Sequence, residues 1–410
     1  MKNVNENYSK ILSYENAAFV LDESKFEKNI KSFLSSFQLF YPKTIIGYSY
    51  KTNYLPRVCQ IAHGLGCYAE VVSSMEVEMA TAHLQIPQNI IFNGPVKTVE
   101  ALQKVVELGG IINIDNYQDI QFLDQILTNK NLRARVALRL NRDFDGHPSR
   151  FGIANIDIDS IKKHVLSNPQ YDLIGFHLHL PFRSVESFEY RVKEMILELD
   201  KHNDVELKYI NLGGGFFGNL EEVLAASLGI QNPPTYNTYA KIIGQALFDY
   251  FKSKGLESLP ELFLEPGSSV VADVFTFISR IHTKKTIENR NYLVTYCGRH
   301  LVSPTNKTSM LPIELKCFSE EKNEYNKEQK EYLIVGYTCI EGDILGMAKE
   351  THVSNKNSYI LIKNVGSYSV VMGSDFILPQ PPIYTIKSDG KLEILRKRKS
   401  AINVIESFVK

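Results

Sequence analysis

Between about residues 42 and 266 the chain repeats one rhythm, a short apolar run followed by a longer amphipathic stretch. Candidate strands are 44–50, 67–72, 89–93, 111–115, 133–140, 172–179, 208–213 and 261–265; helix-like segments such as 54–63, 74–84, 97–108, 116–127, 185–202 and 236–253 lie between them. Runs that stay apolar without alternating suit strands buried on both faces, the condition of a parallel sheet wrapped in helices. Eight such strands, each followed by a helix or loop, predict a (β/α)8 barrel of the TIM type. A doubly wound sheet has the same rhythm and stays open as an alternative, because periodicity alone does not close a barrel.

Beyond residue 270 the pattern changes. Strand-like runs at 270–282, 291–297, 331–336, 358–365 and 393–397 are separated by turns with little helix, so a β-domain of sandwich or barrel-like form is expected. The charged stretch 319–330 reads as an exposed loop. The short run Ala17–Leu21 precedes a helix-like stretch and is expected to lend a strand to the same β-domain. The expected organisation is 1–38 for the N-terminal strand and helix, 39–280 for the barrel and 281–410 for the β-domain.

Composition narrows the classes. Lys+Arg and Asp+Glu are both 46, and no long charged block appears, which argues against a nucleic-acid surface. The polar start lacks the apolar core of a secretory signal, and no apolar span reaches membrane length. Five scattered cysteines without a CxxC argue against a disulfide framework or zinc site, and no metal is expected. The expectation is a soluble protein of the reducing cytoplasm.

In a barrel of this kind the C-terminal ends of the strands build the active site, and the informative polar residues fall there. Lys51 follows the first strand, in Gly47-Tyr48-Ser49-Tyr50-Lys51-Thr52-Asn53. A buried ammonium without a partner tends to lose its proton, and a neutral amine can form an imine with an aldehyde cofactor; a solvated lysine is the plain alternative. His177 and His179 end the sixth strand. Alternating on one strand, they do not readily share a metal; a core histidine with a satisfied hydrogen bond, or one ring lying flat on a cofactor, are the other readings. Gly213-Gly214-Gly215 follows the seventh strand, where bare N–H groups can wrap an anion or simply make a tight turn. Glu265-Pro266-Gly267 follows the eighth; Glu265 is either half of a structural ion pair or the acid that keeps a pyridine-type nitrogen protonated. Cys339, in Gly336-Tyr337-Thr338-Cys339-Ile340-Glu341-Gly342-Asp343, is by default a small buried hydrophobe.

In this order the segments resemble the pyridoxal-phosphate-dependent decarboxylases of fold type III, with the alanine-racemase-like barrel: the diaminopimelate, ornithine and arginine decarboxylase family. The resemblance spans roughly residues 15–385. It includes Leu138-Arg139-Leu140-Asn141, Ser149-Arg150-Phe151-Gly152 and Gly366-Ser367-Tyr368 beside the segments above. It implies that Lys51 carries pyridoxal 5′-phosphate, His179 lies behind the ring, and Glu265 meets its nitrogen. By the same resemblance Gly213, Gly214, Gly215, Gly267 and Tyr368 hold the phosphate, with Glu70 and Arg139 also around the cofactor. Cys339 is then the proton donor supplied by the other protomer of a homodimer. The implied activity is decarboxylation of an amino acid in a biosynthetic pathway; a racemase on the same scaffold, or an inactive homologue that only binds the cofactor, are the alternatives.

The departures bear on the substrate. Ser268 stands where the family usually has arginine after Glu-Pro-Gly, and Arg183 is a candidate to restore that charge beside Phe182. Ile340 stands where an acid usually follows the cysteine, with Glu341 one position later, and Ser303-Pro304 lies near the place of an expected Arg-Pro pair. Altered groups for the substrate's far end imply a non-standard or conjugated amino acid, with Arg299, His300, Ile340, Glu341 and Tyr368 as candidate contacts.

Overall fold

The computed structural model describes residues 2–83, 88–255, 258–304, 312–318, 329–350, 353, 357–387 and 389–408. The charged stretch 319–330 lies, except for its last two residues, outside them. The chain divides into two compact units, one of Glu27–Gly218 and Pro234–Val270, the other of Met1–Phe26, Asn219–Pro233 and Val271–Lys410.

The first strand, β1 (Ala17–Asp22), belongs to the second unit. The first unit holds β2 (Thr44–Ser49), β3 (Tyr68–Val71), β4 (Ile90–Phe92), β5 (Ile111–Ile114), β6 (Ala134–Arg139), β7 (Tyr171–His177), β8 (Tyr209–Asn211) and β9 (Glu261–Leu264). Among the described residues these eight parallel strands pair in sequence order, and β9 returns to β2, which closes the barrel. Every residue of β4 and β5 is buried, as strands covered on both faces require. The interior is filled by Ile91, Ile111, Ala137, Ile174, Tyr209 and Phe263, of which the isoleucines and the phenylalanine each stabilise by about 1.5–3 kcal/mol on burial. Helices start promptly after the loops because capping residues are in place: Thr98, Asn116 and Ser184 each accept from the backbone N–H three residues on.

Gly175 shows how closely the strands approach. A Cβ there would collide with the Tyr209 carbonyl oxygen on β8, so only glycine lets β7 and β8 pair. Two expected strands end early. The apolar run to His179 stops as β7 at His177, and 208–213 stops as β8 at Asn211, because Gly213 (φ 66°) turns the chain out of the sheet.

The second unit is a mixed sheet. Its remaining strands are β10 (Phe275–Ile287), β11 (Arg290–Thr295), β12 (Ile313–Cys317), β13 (Lys330–Val335), β14 (Ile344–Glu350), β15 (Ser358–Lys363), β16 (Ile383–Ile386) and β17 (Leu392–Arg396). The path is β14-β13-β11-β10-β1-β16-β17, with β15 pairing both β10 and β12. The N-terminal strand is thus a member of this sheet, antiparallel to β10 and parallel to β16. Its core packs Ile11, Leu12, Ala18, Val20, Ile278, Tyr359, Leu361 and Tyr384. The run 270–282 is strand only from Phe275; Ser268–Val271 is helical and Ala272–Val274 a 3-10 turn. Among the described residues no helix is long and apolar enough to cross a membrane.

Candidate active site

Polar groups gather at the C-terminal ends of the barrel strands, above the apolar interior. Lys51 sits on the 3-10 turn Tyr50–Thr52, which Thr52 Oγ1 closes by donating to the Ser49 carbonyl (2.7 Å). A Cβ at Gly267 would strike Thr52, so the Glu-Pro-Gly segment packs directly on the turn that presents the lysine. Lys51 differs from a sealed, unpaired amine: its side chain is 40% exposed and its Nζ lies 2.5 Å from Glu70 Oε2. Glu70 is fully buried on β3 and also accepts from Ser49 Oγ and from Asn93 Nδ2 (2.9 Å). Burial alone would raise the Glu70 carboxyl, but the Lys51 ammonium and these donors hold it below the usual carboxylate range.

Glu265 lies in the same network under opposite electrostatics. Its Oε1 accepts from Asn93 Nδ2 (2.8 Å) and Asn211 Nδ2 (2.6 Å), while its Oε2 is 3.8 Å from His177 Nε2. Burial, and then the charge of Glu70, push its carboxyl up to about 7. Burial and the nearby Arg139 hold the His177 ring well below its ordinary value, so it is neutral, and among the described residues neither of its buried nitrogens has a hydrogen-bond partner. Asn113 completes the floor, donating to Asn93 Oδ1 (2.6 Å) and to the Tyr209 hydroxyl (3.0 Å). Sequence reading missed Asn93, Asn113 and Tyr209; the available signal for the two amides was their place directly after the apolar triplet Ile90-Ile91-Phe92 and inside the run Ile111-Ile112-Asn113-Ile114.

The glycine segment is only partly bare. Gly213 N–H donates to Asn211 Oδ1 (2.8 Å) and Gly214 N–H to His179 Nδ1 (3.0 Å), while among the described residues nothing accepts the Gly215 N–H. Since His179 Nδ1 accepts, the neutral ring carries its proton on Nε2. Burial, with the charge of Arg191 next, holds that ring well below its ordinary value. A Cβ at Gly213 would strike the His179 ring, and one at Gly214 the Glu265 carbonyl oxygen. Arg139 pairs with Asp115 (2.7 Å) and lies 4.8 Å over the Phe151 ring. The two middle-barrel segments are tied together, since Asn141 Nδ2 donates to the Ser149 and Phe151 carbonyls at 2.8 and 2.6 Å. Arg183 sets its guanidinium 5.5 Å from the Phe217 ring centre.

The second unit brings the other candidates together. Cys339 is exposed on a turn organised by Asp343, whose carboxylate accepts from Thr338 N (3.1 Å), Thr338 Oγ1 (2.6 Å) and Arg299 N (2.7 Å). Ser369 Oγ, next to Tyr368, donates to the Val302 carbonyl (3.2 Å), tying the Tyr368 turn to the short helix Arg299–Val302. Tyr368 adopts φ 66°, a conformation a bulky residue rarely takes. A cavity of about 230 Å³ is lined by Arg299, His300, Ser303, Thr338, Ile340 and Phe376 among others. Glu341 is exposed and does not line it.

The barrel residues suit pyridoxal 5′-phosphate. Lys51 offers an amine, Glu265 is a buried acid whose raised pKa a ring N–H would relieve, and among the described residues the His177 ring nitrogens and the Gly215 N–H have no hydrogen-bond partner.

Comparison with known proteins gives the same family. Residues 24–272 match the family model described as pyridoxal-dependent decarboxylase, pyridoxal binding domain. A probable chloroplastic diaminopimelate decarboxylase of Oryza sativa subsp. japonica is 29% identical over 389 residues, covering 89% of this chain and 74% of the relative. The crystal structure of the M. jannaschii diaminopimelate decarboxylase with L-lysine superposes with TM-score 0.83 at 21% identity, covering 96% of this chain and 92% of that one. The Paramecium bursaria Chlorella virus arginine decarboxylase gives TM-score 0.77 at 16% identity, covering 94% and 100%. At those identities the two structures speak for the fold. The family match extends over more than half of the chain, which therefore belongs to the pyridoxal-dependent decarboxylases and is an amino-acid decarboxylase working with pyridoxal 5′-phosphate.

Proposed function

We propose that the enzyme removes a carboxylate from an amino acid whose far end is conjugated or otherwise non-standard, as a biosynthetic step in the cytoplasm. The carrying observation is the lining of the cavity near Cys339. Among the described residues its one carboxylate, Asp343, accepts from Thr338 and from the Arg299 main chain, and Ile340, 58% exposed, stands beside it. Burial holds His300 below its ordinary value despite the opposing charge of Asp343. The rest of the described lining is the Arg299 guanidinium, whose Nη1 already donates to the Ile344 carbonyl (2.9 Å), a neutral imidazole, hydroxyls and apolar surface. A bare ammonium tail finds no free acid there, whereas an acylated or carboxylated tail finds donors and apolar walls.

Bound pyridoxal 5′-phosphate supplies an aldehyde for the amine and a ring that takes up the electron pair left by departing CO2. In the proposed roles Lys51 holds the cofactor at rest, and Glu70 steadies the ammonium whenever the amine is released. Glu265 keeps the ring nitrogen protonated, and His179 lies against the ring. The Gly213–Gly215 segment, Gly267, Tyr368 and Arg183 secure the phosphate, with Arg139 positioned by Asp115. Cys339, from the other protomer of a homodimer, delivers a proton to the carbon that lost CO2; its exposure here, beside the exposed apolar Ile340 and Phe376, supports that reading.

The test is CO2 release by the loaded protein over lysine, ornithine, arginine, diaminopimelate and N-acylated diamino acids. Turnover highest on the acylated or carboxylated compounds is expected. A clear preference for ornithine or lysine would sink the substrate reading, and borohydride trapping that left Lys51 unmodified would sink its assigned role.

A further inference from the structure

Arg191 lies on the helix Val185–Lys201, in the buried stripe with Phe188, Val192 and Met195, and is fully buried. An arginine there is costly unless its donors are met. They are met by main chain. Nη1 donates to the Leu212 (3.1 Å) and Gly214 (2.7 Å) carbonyls, and Nη2 to those of Leu180 and Phe182 (both 2.6 Å). The guanidinium also stacks 4.0 Å from the Phe188 ring centre. Among the described residues no carboxylate pairs with it, so one positive charge is left uncompensated beneath two loops, the segment after β7 and the segment after β8.

Two consequences follow. In a trans peptide the C=O and the next N–H point opposite ways. Gripping the Gly214 and Phe182 carbonyls therefore aims the N–H groups of Gly215 and Arg183 away from Arg191, and among the described residues neither N–H has an acceptor. The charge is also felt nearby, since Arg191 helps hold His179 neutral. Oriented N–H groups backed by an uncompensated cation favour an anion. The packing leaves little slack: a Cβ on Gly215 would stand 3.1 Å from the Phe182 carbonyl oxygen and 3.3 Å from Arg191 Nη2.

We propose that Arg191 is the positioning residue for the cofactor's phosphate, fixing the Arg183 and Gly215 N–H groups and supplying from beneath the positive charge that Ser268 does not provide. The proposal rests on the cofactor assignment. The experiment compares equilibrium binding of pyridoxal 5′-phosphate with that of pyridoxal, which lacks the phosphate, to the cofactor-free full chain. Two variants are used, Arg191→Gln and Ser187→Asp. Ser187 Oγ lies 3.4 Å from Nη2, so an aspartate there neutralises the charge while leaving the carbonyl grip in place.

Each variant is expected to lose at least ~10-fold in affinity for the phosphorylated ligand, the scale of one charge-assisted interaction, with pyridoxal binding within about twofold of wild type. If Arg191→Gln fails to fold, Ser187→Asp decides alone. Equal losses for both ligands, or no loss in Ser187→Asp, would overturn the proposal while leaving the cofactor assignment standing. A wild-type protein that bound neither ligand would overturn both.

Discussion

Two buried glutamates a single amide apart are held in opposite states, and their neighbours explain why. Asn93 Nδ2 donates to both, but Glu70 has an ammonium at 2.5 Å and Glu265 has only amides and a neutral ring. An acid raised from 4.5 to about 7 keeps its proton in the folded state after the unfolded chain has lost it. Between those two values the folded state binds more protons, so its stability falls as pH rises. Cofactor-free Glu265→Gln is therefore expected to match wild type in urea unfolding near pH 4.5 and to exceed it by about 3 kcal/mol at pH 8. A difference that does not widen with pH would reject the burial argument. At the same scale, Arg183→Ala, which keeps the main-chain N–H, is expected to release the cofactor faster on dialysis, and retention equal to wild type would remove the Arg183 guanidinium from the phosphate site.

Among elements, the pairing of β7 with β8 depends on one missing methyl group. Gly175→Ala is expected to cost at least about 3 kcal/mol, because the collision is with backbone and cannot be relieved by a rotamer change. Soluble protein with unchanged unfolding behaviour would show that the strands have slack. The turn carrying Cys339 depends in the same way on Asp343, which is 6% exposed and accepts three hydrogen bonds. Asp343→Ala removes the acceptor of part-buried donors, each costing less than the roughly 1–3 kcal/mol of a fully buried one. The expected result is a lower urea midpoint and faster alkylation of Cys339 than in wild type. Unchanged alkylation would mean that the turn holds its shape without the carboxylate.

At the scale of the whole molecule the proposed dimer sets a numerical test. Lys51→Ala and Cys339→Ala would each be inactive alone if both residues serve one site. If that site takes Lys51 from one protomer and Cys339 from its partner, random exchange of equal amounts regains about a quarter of wild-type activity. Half the dimers are then mixed, and each mixed dimer carries one intact site. No recovery after mixing, with subunit exchange shown independently by tagged protomers, would place both residues in the same protomer.

Much of this was legible in the chain. Apolar runs at regular spacing marked the barrel, and the polar residues at their ends made Lys51, His179, the glycine segment and Glu265 candidates, because both signals are local. The hydrogen bonds of Asn93, Asn113 and Arg191 beside the candidate site were not legible, since an amide beside an apolar run or an arginine in a helix stripe has no local meaning. The sequence by itself determined the fold class, through periodicity, and the cofactor class, through short motifs that resemble those of a known family. Only the tertiary structure decided which groups are charged and which donors are free. Asn93 meets Glu265 across 172 residues of chain, and Arg191 silences four carbonyls from two separate loops. Such long-range meetings set the local field and the unmatched hydrogen bonds, and no pattern along the chain encodes them.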